Sequence, residues 1–230
     1  MKIGENATGF IKAAAGSPRV HPGEPLKNAA EICSVIDQAQ ALKADVLVLP
    51  ELVLSGYTAA DLFLRAPLLE GVLTALECIK DHLKRPESDG LIVVLGAPIR
   101  ADGRLFNCAV FLQNGRVLGI VPKSHLPNYQ EFYEARWFSP ASEAVSSTAE
   151  LLGDTVPFGT DLIFESASGL AIAAEICEDL WVAQPPAAAA AAAGANVIVN
   201  LSASNETAGK AKFRRELVRL QSARSMCAYV

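Results

Sequence analysis

Leu170-Ala171-Ile172-Ala173-Ala174-Glu175-Ile176-Cys177-Glu178-Asp179-Leu180-Trp181 opens as a short apolar run and closes in a knot of acids around a thiol. A run of that length reads as a buried strand, and in open α/β sheets reactive groups collect just beyond the carboxyl ends of strands. Two other places break in the same way. Asp45–Pro50 (DVLVLP) is a buried-strand run, stopped by its proline, that leads straight into Glu51. Arg116–Val121 leads into Pro122-Lys123. A thiol, an acid and an amine at three strand ends can converge on one site. Taken singly, each has a plainer reading: Glu51 as a solvated turn residue, Lys123 as a surface lysine, Cys177 as a buried, inert thiol.

Outward from these three points, short apolar runs alternate with longer amphipathic stretches, the pattern of an α/β chain. Phe10–Ala14 reads as a first strand. Pro25–Ala44 follows with Ile32, Val35, Ile36 and Leu42 near helical spacing, and Leu64–His82 reads as a second helix. The period then changes. Leu91–Ile99, Leu105–Gln113 and Arg116–Val121 read as a meander turned by Asp102-Gly103 and Asn114-Gly115, dipeptides whose residues tolerate positive φ. Leu162–Glu165 and Leu170–Ala174 form a further pair across Ser166–Gly169. Pro185-Pro186 and Gly194 bracket an alanine-rich helix, Val197–Leu201 is another buried strand, and Ala208–Tyr229 reads as a closing helix. Helix–strand units at both ends of a meander predict a mixed sheet. The chain is expected to stop in mid-helix at Val230, short of a full domain.

Composition narrows the class. The chain has 230 residues, 51% hydrophobic and 20% charged, enough for one large domain or two small ones. A net charge of −5, with no Lys/Arg run, argues against a nucleic-acid partner. The longest apolar segment, around Ala187–Ala195, falls far short of the roughly 18 residues of a membrane span. Met1–Thr8 carries no apolar run of the kind a secretory signal needs. The five cysteines, at 33, 78, 108, 177 and 227, have neither CxxC nor paired metal-ligand spacing, so no metal is expected. Their odd number and apolar neighbours point to a reducing, cytoplasmic setting in which Cys33, Cys78 and Cys108 are small buried hydrophobes.

The three strand-end residues make chemical sense together. A thiol with a pKa of about 8.5 is mostly protonated at neutral pH, so it needs a base to become a nucleophile. A carboxylate can take that proton and return it to a leaving amine. An ammonium can stabilise both a thiolate and the oxyanion of a tetrahedral intermediate. His125, two residues past Lys123, is at most a positioning residue. Spacing alone carries the reading to a possible cysteine hydrolase.

The segments around these residues resemble the nitrilase, or carbon–nitrogen hydrolase, superfamily. Pro50-Glu51 through Gly56-Tyr57 with Asp61-Leu62-Phe63 is similar to its glutamate segment. Lys123-Ser124-His125-Leu126-Pro127, with Tyr129, Phe132, Glu134 and Trp137, is similar to its lysine segment, and Glu175–Trp181 to its cysteine segment. Asn200–Asn205 and Gln221–Arg224 are similar to the glutaminase branch found in glutamine-dependent NAD+ synthetases. The resemblance runs from about Phe10 to Val230.

It implies a four-layer α-β-β-α sandwich, here without its last strands, and a Cys177, Glu51, Lys123 catalytic set hydrolysing the glutamine side-chain amide through a thioester. Glu134 would support the set, and Lys123 with the Glu178 backbone N–H would hold the oxyanion. Tyr129, the Glu178 side chain and Ser204 fall where glutamine is contacted, with Tyr57 and Phe132 shaping the pocket wall or the ammonia exit. Lys210 falls where the branch can carry an arginine near the substrate carboxylate; a lysine serves electrostatically but lacks the bidentate fork. Tyr57, Tyr129 and Phe132 read equally well as plain core. The branch further implies ATP and deamido-NAD+ bound in a separate synthetase domain. No Walker sequence, GxGxxG or Ser/Gly-rich pyrophosphatase loop occurs in this chain, so no cofactor is expected for the amidase step. Its expected partners are glutamine, that synthetase domain and further copies of itself. Two other readings stand beside this one: a stand-alone hydrolase of another amide, carbamoyl compound or nitrile, and a catalytically silent assembly module.

Overall fold

The computed structural model of the protein describes residues 10–166 and 169–230. The reading of Met1–Thr8 and the middle of the Ser166–Gly169 turn lie outside the described residues. One sheet contains β1 (Ala13–Ala15), β2 (Val46–Val48), β3 (Ile92–Ala101), β4 (Arg104–Gln113) and β5 (Arg116–Pro122), in that order. β1, β2 and β3 are parallel, and β3, β4 and β5 antiparallel. Both meander turns form as their dipeptides predict, with φ +51 and +72 at Asp102-Gly103 and +49 and +71 at Asn114-Gly115. A short hairpin, β6 (Thr148–Leu151) and β7 (Asp154–Pro157), follows. A second sheet runs β11 (Ala228–Tyr229), β10 (Val197–Leu201), β9 (Ala171–Ile176) and β8 (Phe164–Glu165), with only β8 antiparallel.

Side-chain alternation fixes the layers. In β2, Leu47 packs with Ile32, Ile36, Val72 and Leu76 of helices α1 (Pro25–Ala41) and α2 (Ala66–His82). Val46 and Val48 face the other way, against Ile172, Ala174, Val197 and Val199 of the second sheet. On that sheet Ala173 and Ile198 turn outward, against Ala187 and Cys227, beside helices α3 (Pro186–Ala192) and α4 (Lys210–Ser225). Because successive strand residues point to opposite faces, one sequence serves two cores. Phe111 of the first sheet stacks on Phe164 of the second with ring centroids 3.9 Å apart. The result is the four-layer α-β-β-α sandwich.

The mixed arrangement expected around the meander is present in both sheets, each joining parallel and antiparallel neighbours. Other sequence expectations need correction. The first strand is shorter, Ala13–Ala15, and Leu42 caps α1 as an exposed residue instead of packing inside it. The closing helix stops at Ser225: Met226 takes a left-handed φ of +54, its N–H bonds to Ser222 O, and the chain re-enters the sheet as β11. The last residues are therefore strand and not mid-helix. Cys33 is half-buried and Cys78 exposed, because α2 buries the face carrying Leu76 and Ile79 and turns Cys78 to solvent.

One glycine ties the first sheet to the site. A Cβ on Gly96 would lie 2.2 Å from Leu52 N, 2.6 Å from Pro50 O and 2.7 Å from the Glu51 carbonyl carbon. All three are backbone atoms, so no rotamer change relieves the overlap. Gly96→Ala is expected to cost roughly 1–3 kcal/mol, as overpacking does, and to push Glu51 out of place with about a hundredfold loss of turnover. Urea midpoint and activity are the checks; a variant matching wild type in both would show that the loop yields without consequence.

Candidate active site

The loop after β2 is short and dry. Leu52 takes φ +50, and Gly56 N–H returns to Leu52 O at 2.8 Å, so residues 51–56 fold back on themselves beneath solvent. Glu51 is consequently 2% exposed, not a solvated turn residue. Lys123, following directly on β5, is fully buried, and Glu134, in a 3₁₀ turn beyond it, is 1% exposed. Lys123 Nζ donates to Glu51 Oε1 at 2.6 Å and to Glu134 Oε1 and Oε2 at 2.7 and 2.9 Å. An ion pair this deep holds only when its remaining lone pairs are satisfied. Asn107 of β4 supplies part of that, with Nδ2 donating to Glu51 Oε1 at 2.7 Å and to Glu134 Oε2 at 3.4 Å. Tyr57 OH donates to Glu134 Oε1 at 2.7 Å, and Ala203 N–H to Glu51 Oε2 at 3.1 Å.

These neighbours set the protonation. Burial lowers the Lys123 pKa, but the Glu51 and Glu134 charges more than reverse that and hold it above the ordinary lysine value. Burial, then repulsion from Glu51, raises Glu134 against the pull of Lys123. Cys177, 7% exposed at the end of β9, is pushed well above the ordinary thiol range. Burial does most of this and the Glu51 charge adds to it; Lys123 and the Ala203 N–H work against it. Burial and the Glu51 charge together favour the protonated thiol over the thiolate.

Cys177 opens onto a cavity of about 290 Å³. Tyr129, Phe132, Glu178, Ser204 and Lys210, all expected from the sequence, line its walls with Trp181 and Asn205. Tyr129 OH donates to both Glu178 carboxylate oxygens at 3.0 and 3.1 Å; burial, then this bond, raises its pKa to about 12. Lys210 Nζ lies 5.2 Å above the Trp181 ring and donates to Asn205 Oδ1. Tyr57 stands apart: it is absent from the lining residues, bonds Glu134, and meets Phe132 edge-on at 6.3 Å.

Three polar residues around the site escape a sequence reading of catalytic types. Asn107 and Asn200 each interrupt an apolar strand, and that interruption was the available signal. Asp179, directly past the thiol's neighbour, straps two segments together: its carboxylate accepts from Ile176 N–H at 3.0 Å and from His125 N–H at 2.7 Å. Burial pushes it up to about 7, against those two N–H groups. His125 thus contributes its backbone. Among the described residues no helix is long and apolar enough to cross a membrane.

Comparison with known proteins agrees with this geometry. The carbon–nitrogen hydrolase family model matches residues 12–230. The chain is 44% identical over 228 residues to the glutamine-dependent NAD(+) synthetase of Mycobacterium tuberculosis, covering 96% of this chain and 32% of that protein. It superposes on a glutamine-dependent NAD(+) synthetase from Cytophaga hutchinsonii with a TM-score of 0.82 at 30% identity, over 95% of this chain and 35% of that one. The chain thus spans about a third of the length of these relatives. An amidase from Nesterenkonia sp. shares the fold, with a TM-score of 0.72 at 18% identity over 95% of this chain and 75% of that one. Fold, strand-end site and family match lead to one conclusion: the chain belongs to the carbon–nitrogen hydrolase family.

Proposed function

We propose that this chain hydrolyses the side-chain amide of glutamine, and that the ammonia serves the amidation of deamido-NAD+ to NAD+ in a synthetase part of the same protein, where ATP would bind. The observation that carries the reading is a pairing of charges. Glu178 and Lys210 stand on the walls of the cavity that Cys177 faces. A free amino acid brings one ammonium and one carboxylate into a pocket, and burying either requires an opposite partner. A cavity of about 290 Å³ suits a ligand of that size and is too small for a dinucleotide. The names of the relatives supply the second half of the proposal.

In this mechanism Cys177 Sγ attacks the amide carbon while Glu51 takes the thiol proton. The oxyanion forms against the Lys123 ammonium and the Glu178 backbone N–H. Glu51 returns the proton to the amide nitrogen, the C–N bond breaks, and ammonia leaves a glutamyl thioester on Cys177. Water then attacks with Glu51 again as base, the C–S bond breaks, and the thiol is reprotonated as glutamate departs. The balance is glutamine and water in, glutamate and ammonia out. Glu134 and Asn107 keep the base and the ammonium in register. Tyr129 and Phe132 form the pocket walls, with Ser204 and Lys210 toward the substrate carboxylate.

Intact-mass spectrometry after incubation with a diazoketone analogue of glutamine is the test. The expected result is one adduct, mapped to Cys177 and suppressed by glutamine. An adduct that glutamine leaves untouched would overturn the substrate and favour another amide, carbamoyl compound or nitrile. No adduct at all would overturn the nucleophile.

A further inference from the structure

Cys177 occupies a backbone conformation that its own side chain does not favour. Its φ is +46, in the left-handed region that a non-glycine residue keeps only where its surroundings impose it. One bond at this turn comes from across the second sheet: Cys177 N–H donates to Asn200 Oδ1 at 3.2 Å. Asn200 lies on β10, paired with Glu175 of β9 in the ladder.

The neighbours of Asn200 leave its amide one orientation. Oδ1 accepts from Cys177 N–H and from Ser202 Oγ, the latter at 2.6 Å. Nδ2 donates to the Tyr229 oxygen at 2.9 Å and reaches Glu175 Oε1 at 3.4 Å. A rotated amide would set Nδ2 against the Cys177 N–H and Oδ1 against a carboxylate, opposing donor to donor and acceptor to acceptor. Glu175 is what makes that rotation costly. It is buried and takes donors on both oxygens, Tyr229 OH on Oε1 and Ala187 N–H at 2.9 Å on Oε2. Tyr229 arrives on β11, which also fixes the Asn200 backbone: Asn200 N–H donates to Val230 O at 2.8 Å, and Val230 N–H to Ile198 O at 2.9 Å.

Glu175, Asn200 and Tyr229 are absent from the residues lining the cavity. We infer that Asn200 is a positioning residue for Cys177, with its amide locked by the buried Glu175 and the half-buried Tyr229. The inference rests on Cys177 as the nucleophile proposed above. Asn200 holds the strained turn so that the thiol keeps its place at the cavity it faces. It also engages the Cys177 N–H, which leaves oxyanion binding to Lys123 and the next N–H, that of Glu178.

The test compares Asn200→Ala, Tyr229→Phe and the double variant in two readouts. One is the pH profile of Cys177 alkylation by iodoacetamide, which needs no substrate. The other is kcat and KM for ammonia release from glutamine. Asn200→Ala is expected to lower kcat by about a hundredfold, as a displaced nucleophile does, with KM little changed and the alkylation profile shifted. Tyr229→Phe is expected to give a smaller loss in the same direction. The double variant is expected to be no worse than Asn200→Ala, because both changes act through one amide.

A folded Asn200→Ala protein with wild-type kcat and a wild-type alkylation profile would overturn the inference. So would strictly additive losses in the double variant. Should Asn200→Ala fail to fold, Tyr229→Phe decides alone, since it keeps Asn200 and removes only its lock; an unchanged profile there refutes the role. A wild-type chain that alkylates at Cys177 yet releases no ammonia would refute glutamine as substrate, and the alkylation arm would still decide the role of Asn200.

Discussion

Cys177→Ala is expected to release no measurable ammonia from glutamine while unfolding at nearly the wild-type denaturant concentration. The two effects separate because the thiol does different amounts of work in each. In the proposed reaction it forms the bond to carbon, and no other thiol stands on the cavity wall. The loss should therefore be of the order seen when a covalent nucleophile is removed, about 10⁵-fold or more. In the fold, the side chain is a small apolar body packed with Ile176, Val199 and the rest of the inter-sheet core. Replacing one buried sulfur by hydrogen leaves a cavity smaller than a methylene pair, worth about 1 kcal/mol. Alanine meets the same backbone strain at φ +46, so that cost cancels between the two proteins. Ammonia release against a urea unfolding curve measures both. Retained turnover would sink the thioester mechanism outright, and the exposed Cys78 would then have to be mapped for reactivity.

The outline of the site was legible because chemistry broke a local rule at three strand ends. A polar residue directly after an apolar run is visible without knowing what it touches. What encloses it is not. Glu51 reads locally as a turn residue; its burial comes from the close approach of Gly96, forty-five positions away, and from the Asn107 amide. Asn107 and Asn200 carry no such sign, because each lies inside a strand and acts on an element distant in sequence. The β6–β7 hairpin is hidden in the sequence for a different reason. Its turn is Leu152-Gly153 with φ +53 and +83, and a leucine in that position carries none of the signal that Asn-Gly or Asp-Gly does. The meander is legible because its turns carry that signal. The sequence carries the closing helix four residues past its C-terminal end, since the chain stops it with a left-handed methionine where glycine usually stands.

Lys123→Met is expected to lose activity and stability together, and the pH dependence of the stability loss identifies its cause. Methionine fills much the same volume, so the cost is electrostatic. Lys123 sits between two buried carboxylates at 2.6 and 2.7 Å. Removing one partner of a buried pair costs roughly 3–5 kcal/mol, chiefly because the other is left uncompensated. Here two are left, and Asn107 bridges them. Glu134 is already held above the ordinary carboxylate value by burial and by Glu51, and it loses the charge that pulled it down. A carboxyl raised in the folded state contributes stability that is full below the unfolded pKa of about 4.3 and is lost as pH rises through the folded pKa. The stability gap between wild type and variant should therefore be wider at pH 8 than at pH 5. Turnover should fall by at least the 10²–10³-fold that loss of an oxyanion donor costs, on the order of 3–4 kcal/mol. Lys123→Met/Glu134→Gln takes away the excess negative charge, so it should recover much of the stability and none of the activity. A gap that does not change with pH would show that Lys123 is not balancing carboxylate charge. Recovery of activity in the double variant would show that the ammonium takes no part in the reaction.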